Sequence, residues 1–273
     1  MKLGRIPWIN CLPVTGAIDR GLVPVDAELV TGTAAELNDL LAAGGLDASV
    51  VSAVEYARNA AAYHLLPDLA ISADGPVHSV ALYSKRPVEE LDGVTVLRTA
   101  SSRTSALLLE LLCRHRWRIA PRFAAARAEP ADLDALAGLP HEAVLVIGDA
   151  ALQLTARGTY PWVVDLGAEW KAWTGLPFVF AVWAARREVP APAVRALHRQ
   201  LLASRAWGLA HLDLLAEDAA RLTGVSVPTC RAYLGTLEYA LGGGELEGLT
   251  SFFHRLAQDR LVPAGALSFI TAA

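Results

Sequence analysis

A chain of 273 residues, 53% hydrophobic with a mean hydropathy of +0.35, can bury one large core or two medium ones. Its net charge of −4 and scattered basic residues argue against a nucleic-acid surface, and Arg186 and Arg187 cut short the longest apolar run before it reaches membrane-spanning length. The three cysteines, Cys11, Cys113 and Cys230, are too few and too far apart for a disulfide framework or a zinc cluster.

The start, Met1-Lys2-Leu3-Gly4-Arg5, enters a strand pattern at once and has no secretory signature, so a cytoplasmic protein is expected. Residues 2–9 read as the first strand, with Asn10-Cys11-Leu12-Pro13 as the loop at its carboxyl end. A second strand is predicted at 25–30. Thr33-Ala-Ala-Glu36 is a capping box opening a helix through Leu41, and Gly44-Gly45 ends it. Residues 48–51 read as a third strand, and Ser52-Ala-Val-Glu55 as a second capping box opening a helix through Asn59. This βαβαβα order marks a parallel sheet. A short strand at 69–72 precedes the Asp74-Gly75-Pro76 turn.

A buried strand is predicted at 78–84, and the alternation then repeats: strand 94–99, helix 101–116, strand 123–128, helix 130–137, strand 143–147, helix 150–156 and strand 162–166. The Trp170-Lys-Ala-Trp-Thr-Gly-Leu-Pro loop follows. It leads into 178–185, a continuously apolar stretch rich in β-branched and aromatic residues, which reads as a strand buried on both faces. The strands at 78–84 and 178–185 are read as two crossings between the halves of an α/β protein. The first half comprises 1–80 plus 182–273, the second 81–181, with a ligand cleft between them. The tail is helical: a long amphipathic pattern after Pro190 and Pro192, then 229–241 and 249–261, split by Gly242-Gly243-Gly244.

Gly242-Gly-Gly-Glu-Leu-Glu-Gly248 misses the dinucleotide fingerprint, because Glu247 stands where its last glycine belongs and no strand precedes it. There is no P-loop, no Gly-x-Ser-x-Gly elbow and no His pair at metalloprotease spacing, so no cofactor or metal is expected. Ligand contacts are then expected in the loops at strand ends, where open α/β sheets bind their ligands. Ser101-Ser102-Arg103-Thr104-Ser105 opens a helix after a strand and offers hydroxyls, unpaired N–H groups and a positive dipole end, which suit a carboxylate or phosphate. The competing reading is capping by Ser102 with the other hydroxyls solvated. Asn10 is placed either to hold a ligand hydroxyl or carboxylate, or to bond its own loop. Ser79 points into or out of the cleft according to strand phase. His78 reads as structural or solvated, and Glu55 as the capping partner of Ser52. Asp149 is a good N-cap, and Trp170, Trp173 and Phe178 either wall an apolar pocket or belong to the core.

Taken together, several stretches resemble the chorismate dehydratase family of the futalosine route to menaquinone. They are Ile6–Asn10 with Leu12-Pro13, Val51-Ser-Ala-Val-Glu55-Tyr-Ala-Arg-Asn59, Leu66-Pro-Asp-Leu-Ala-Ile-Ser72, Gly75-Pro-Val-His-Ser79-Val, Ser101-Ser-Arg-Thr-Ser105, Leu145-Val-Ile-Gly-Asp149-Ala-Ala-Leu152 and Asp165-Leu-Gly-Ala-Glu-Trp170 through Trp183. The likeness covers residues 1–187, and the tail shares only helical character. One departure is Ser52-Ala53, where the commoner family pattern has two serines.

The resemblance implies a type II periplasmic-binding-protein-like fold, with mixed sheets flanked by helices and two hinge strands. It implies loss of water from chorismate to give 3-[(1-carboxyvinyl)oxy]benzoate, with Asn10 and Ser79 as catalytic positions. Ser52, Ser101, Ser102, Arg103, Thr104, Ser105, Gly148, Asp149, Trp173 and Phe178 are the expected substrate-binding residues. The expected partner is a small dianion, with neither nucleic acid nor membrane; the sequence leaves an oligomer open. No side chain stands out as a base, so the substrate's own enolpyruvyl carboxylate is the expected proton acceptor.

Overall fold

The computed structural model describes residues 1–265 and 267–270. The first strand is shorter than its pattern suggested. β1 (Lys2–Arg5) ends before Ile6, and residues Ile9–Cys11 form a 3-10 turn that runs straight into a helix, α1 (Leu12–Asp19). The expected loop is therefore a helix start, and Pro13 sits in its first turn, where the missing N–H costs nothing.

β2 (Glu28–Thr31), α2 (Ala34–Ala42), β3 (Ala48–Ser52) and α3 (Ala53–Asn59) follow. The Thr33 capping box is present on α2, with Glu36 N–H donating to Thr33 Oγ1 and Glu36 returning to the Thr33 backbone. β4 (Tyr63–Ala73) is much longer than 69–72. The expected strand began only after Pro67 and Asp68, but the chain bulges there, with Asp68 at φ +54°, and pairing is present on both sides of the bulge.

β5 (Val80–Ser84) starts two residues later than expected, after His78 at φ +61°. β6 (Thr95–Thr99) leads to α4 (Arg103–Leu111), which loosens into a π-helical turn at Leu112–Trp117. β7 (Arg122–Ala126), α5 (Leu133–Ala137), β8 (Ala143–Ile147) and α6 (Gly148–Arg157) come next. After β9 (Trp162–Asp165), the stretch read as a tryptophan loop is a helix, α7 (Leu166–Thr174). Asp165 caps it by accepting from the N–H groups of Gly167 and Ala168, and Gly175 at φ +77° ends it.

β10 (Phe178–Arg186) and four helices complete the chain: α8 (Ala191–Ala210), α9 (Leu212–Thr223), α10 (Val227–Thr236) and α11 (Gly243–Gln258). The triple glycine read as a break lies at the start of α11: Gly242 is the N-cap, and Gly243 and Gly244 lie in the first turn.

The strands form two five-stranded sheets of identical plan, β2-β1-β3-β10-β4 and β7-β6-β8-β5-β9. In each, three strands run parallel in the order 2-1-3, and the fourth position is an antiparallel strand: β10 in the first sheet, β5 in the second. The fold is thus α/β with two mixed sheets flanked by helices. Residues 74–79 carry the chain from the first sheet to the second. The return falls before Phe178, because β10 pairs with β4 from Phe178 onward and with β3 from Ala181. Residues 178–181, assigned by the sequence to the second half, therefore belong to the first sheet.

Strands β3, β5 and β8 are buried along their whole length, as expected of strands covered on both faces. Val144, Leu145 and Val146 are each 0% exposed; burying such a side chain contributes about 1.5–3 kcal/mol. The tail does not hang free. Glu238 pairs with Ser72 at the edge of β4 through two backbone hydrogen bonds of 2.9 and 3.0 Å. α8 lies so close to α1 that a Cβ on Gly208 would fall 2.1 Å from the carbonyl oxygen of Pro13. That contact seats the helix whose start carries Asn10.

Candidate functional site

The ends of β1, β3 and β8 and the starts of α2, α3, α4 and α6 converge on one small cavity between the two sheets, of about 60 Å³. Its walls are apolar: Ile6, Trp8, Ile71, Val77 and Phe180 contribute much of them. Its polar lining is Asn10, Ser52, Ser79, Ser102, Ser105 and the backbone of Gly148. Among the described residues, no Lys, Arg, His, Asp or Glu lines it. A negative ligand there meets neutral donors and helix N-termini instead of a cation.

The bonding of each hydroxyl decides what it offers. Ser52, the N-cap of α3, accepts from Glu55 N–H at 3.2 Å and from Asn38 Nδ2 at 3.2 Å, while Asn38 Oδ1 accepts the Ser52 N–H at 3.3 Å. Both Ser52 lone pairs are taken, so its own proton is free to donate into the cavity. Ser102 caps α4 by accepting from Ser105 N–H at 3.1 Å and donates to Ser105 Oγ at 3.0 Å, which leaves the Ser105 proton free. Ser79 Oγ accepts from the phenol of Tyr233 at 2.8 Å. The amide oxygen of Asn10 is buried without a protein partner. Such an orphaned acceptor costs roughly 1–3 kcal/mol unless something donates to it.

Gly148 holds φ +62°, and its missing Cβ leaves room for the Trp8 ring, whose atoms would lie 3.3–3.5 Å from that carbon. Its N–H donates to the Ser79 carbonyl at 2.7 Å. Cys11 also lines the cavity, but burial pushes its thiol up to about 12, so it does not act as a thiolate.

Six of the expected substrate contacts go elsewhere. Thr104 Oγ1 accepts from Val54 N–H at 3.0 Å, capping α3 from across the cleft. Arg103 donates to the buried Glu55 at 2.6 Å and to Asp39, again across the cleft. Glu55 thus supplies only half of the expected capping box: its N–H donates to Ser52, but its carboxylate, instead of returning to the Ser52 backbone, accepts from Arg103, Asn59 and Tyr63. Ser101 donates to Glu129. Asp149 is not an N-cap, because α6 begins at Gly148 and is capped by Ile147. Its carboxyl instead accepts from Ile9 N–H at 3.2 Å and so holds the Asn10 turn, and burial raises it to about 7.

Trp173 and Phe178 are likewise not cavity walls. Both pack edge-on against the fully buried Trp170, and Arg255 covers the Trp173 ring at 4.1 Å. His78 faces a separate depression behind Tyr233.

The apolar walls and two polar supports escaped the sequence reading. Phe180 is hidden in an apolar run. Asn38 lies between Leu37 and the Leu41 turn on the buried stripe of α2, and a polar residue in that stripe was the available signal. Tyr233 lies on the Cys230–Leu234 stripe of α10, where a tyrosine looks like ordinary core.

A protein-family model described as "Menaquinone biosynthesis" matches residues 1–258. The chain is 35% identical over 237 residues to the chorismate dehydratase of Thermus thermophilus, covering 81% of this chain and 84% of that protein. It is 29% identical to the 1,4-dihydroxy-6-naphtoate synthase of the same organism, over 82% and 81% of the two chains. Among solved structures, protein AF1704 from Archaeoglobus fulgidus superposes with a TM-score of 0.81 at 18% identity, over 96% of this chain and 98% of that one. The periplasmic aliphatic sulphonate binding protein SsuA from Escherichia coli does so at 0.65 and 15%, over 97% and 94%. The fold is therefore periplasmic-binding-protein-like, and the chain belongs to the menaquinone-biosynthesis family.

Proposed function

We propose that this protein is a chorismate dehydratase, a lyase that removes water from chorismate to give 3-[(1-carboxyvinyl)oxy]benzoate. The observation that carries the reading is the charge-free cavity, where helix starts and three serine protons meet an orphaned asparagine oxygen. A dianion with a hydroxyl leaving group fits that set. Carboxylates take the serine protons and the positive helix ends, and the Asn10 oxygen takes the hydroxyl's hydrogen.

The hydrogen on the ring carbon bearing the ether leaves as a proton, and its electron pair becomes a ring double bond. The neighbouring carbon–oxygen bond breaks, and the hydroxide with a proton makes water. The gain of aromaticity supplies the driving force, so the protein's task is orientation and exclusion of solvent. Among the described residues no basic side chain lines the cavity, and His78 lies outside it, which supports the enolpyruvyl carboxylate of the substrate as proton acceptor. The higher identity to a chorismate dehydratase, 35% against 29%, favours the dehydratase over the naphthoate synthase.

At about 60 Å³ the cavity is far smaller than typical ligand sites of roughly 300–1,000 Å³. Each sheet with its helices therefore acts as a lobe. Substrate enters when the lobes part, which breaks the Arg103–Glu55, Thr104–Val54 and Asp149–Ile9 contacts.

Incubating the purified protein with chorismate and following the benzoate product tests the reading. Asn10→Ala and Ser79→Ala are each expected to lower kcat at least tenfold, about 1.4 kcal/mol in the barrier. Tight binding of chorismate without conversion would make the protein a non-catalytic binder.

A further inference from the structure

We propose that Tyr233 is a positioning residue for this reaction, whose phenol fixes the direction in which Ser79 presents its proton. The assignment rests on the dehydratase reading of the cavity. Ser79 is 3% exposed, and its backbone is held on both sides: its N–H donates to Val77 O at 2.7 Å, and its carbonyl accepts from Gly148 N–H at 2.7 Å. What remains free is rotation of the hydroxyl. Tyr233, also 3% exposed, donates to that oxygen at 2.8 Å, and among the described residues no other side chain or backbone group bonds Ser79 Oγ.

A hydroxyl that accepts on one side keeps its own hydrogen away from that side. Among the described residues Ser79 Oγ has no second partner, and the residue lines the cavity, so its hydrogen is aimed at the ligand. Burial raises the Tyr233 phenol, so it stays a donor at any working pH. The tail that resembled the family least thus braces the cavity wall from behind, through Ser79. α10 is fixed by its Ser226 cap and by the Glu238–Ser72 bridge, which brings a helix from the end of the chain under the first crossing. A neighbouring tyrosine supplies the control: Tyr239 is equally buried, but its hydroxyl has no partner.

The experiment measures kcat and KM for chorismate, together with the melting temperature, in wild type, Y233F, S79A, the S79A/Y233F double variant and Y239F. Y233F is expected to lower kcat about fivefold, with KM within twofold of wild type, because a hydroxyl free to turn spends most of its time misdirected. The double variant is expected to match S79A, since the phenol acts only through the serine. Y239F keeps wild-type kinetics.

S79A alone is expected to lower the melting temperature by leaving the phenol unpaired, and adding Y233F restores part of it. This arm decides the pairing even where Y233F does not fold. Wild-type kcat in Y233F, or losses that multiply in the double variant, would overturn the positioning role. An S79A melting temperature equal to wild type would overturn the pairing. If wild type leaves chorismate unchanged, the dehydratase reading fails on its own, and the melting cycle still reports whether the two hydroxyls are coupled.

Discussion

Replacing Asp149 by asparagine removes a titrating group from between the sheets while keeping an oxygen to accept from Ile9 N–H. The carboxyl has one hydrogen-bond partner, at 3.2 Å, and burial lifts it from 3.8 to about 7. The folded state therefore holds a proton that the unfolded chain has already released between about pH 4 and pH 7. Because the unfolded state binds fewer protons in that window, stability falls as pH rises through it. Below it both states are protonated, and above it both are ionised.

The full difference corresponds to roughly 4 kcal/mol at about 1.4 kcal/mol per pH unit, and partial solvent access reduces it to about 2 kcal/mol. The substituted amide has no such proton. Urea unfolding of wild type and Asp149→Asn at pH 5 and pH 8 isolates the effect from every other titrating group. About two thirds of that effect falls between the two pH values, so the variant is expected to gain about 1.3 kcal/mol on wild type there. Parallel pH dependence of the two proteins would refute the buried, singly bonded carboxyl on which the argument rests.

Arg103→Ala strands Glu55, 1% exposed, with only Asn59 and Tyr63 as donors. A loss of about 2–3 kcal/mol in urea unfolding is expected, and a loss under about 0.5 kcal/mol would show that the cross-cleft pair is not formed in solution. Gly148→Ala puts a side chain at φ +62° against the Trp8 ring and should cost about 1–2 kcal/mol with a shift in tryptophan emission. Unchanged emission and stability would remove that packing. All three cysteines are buried, so native protein is expected to resist a thiol reagent at pH 8 and react at three sites once unfolded. Rapid native labelling of Cys11 would mean that the cavity stands open.

Much of the fold was legible because its signals are local. Apolar runs at β5, β8 and β10 needed no partner to read as buried strands, and the capping residues Thr33, Ser52 and Ser102 mark helix starts by satisfying the nearest N–H groups. The two crossing strands already implied two halves with a cleft between them, and the resemblance singled out Asn10 and Ser79, both of which line the cavity.

Errors arose where a local signal had two outcomes. The strand reads as starting at Leu69, beyond Pro67, yet it begins at Tyr63 and bulges past the proline. The Trp170 stretch reads as a loop, yet the aspartate that ends β9 caps it and turns it into a helix. What no sequence pattern specified was the use of each side chain across the cleft. Arg103, Thr104 and Asp149 look like ligand contacts, because residues at helix starts after strands carry donors, acceptors and charge. Whether those groups meet a ligand, the other lobe or one another depends on how two separately encoded sheets lie together. That arrangement follows from packing between residues far apart in the chain, such as Tyr233 under Ser79, and only the tertiary structure determines it.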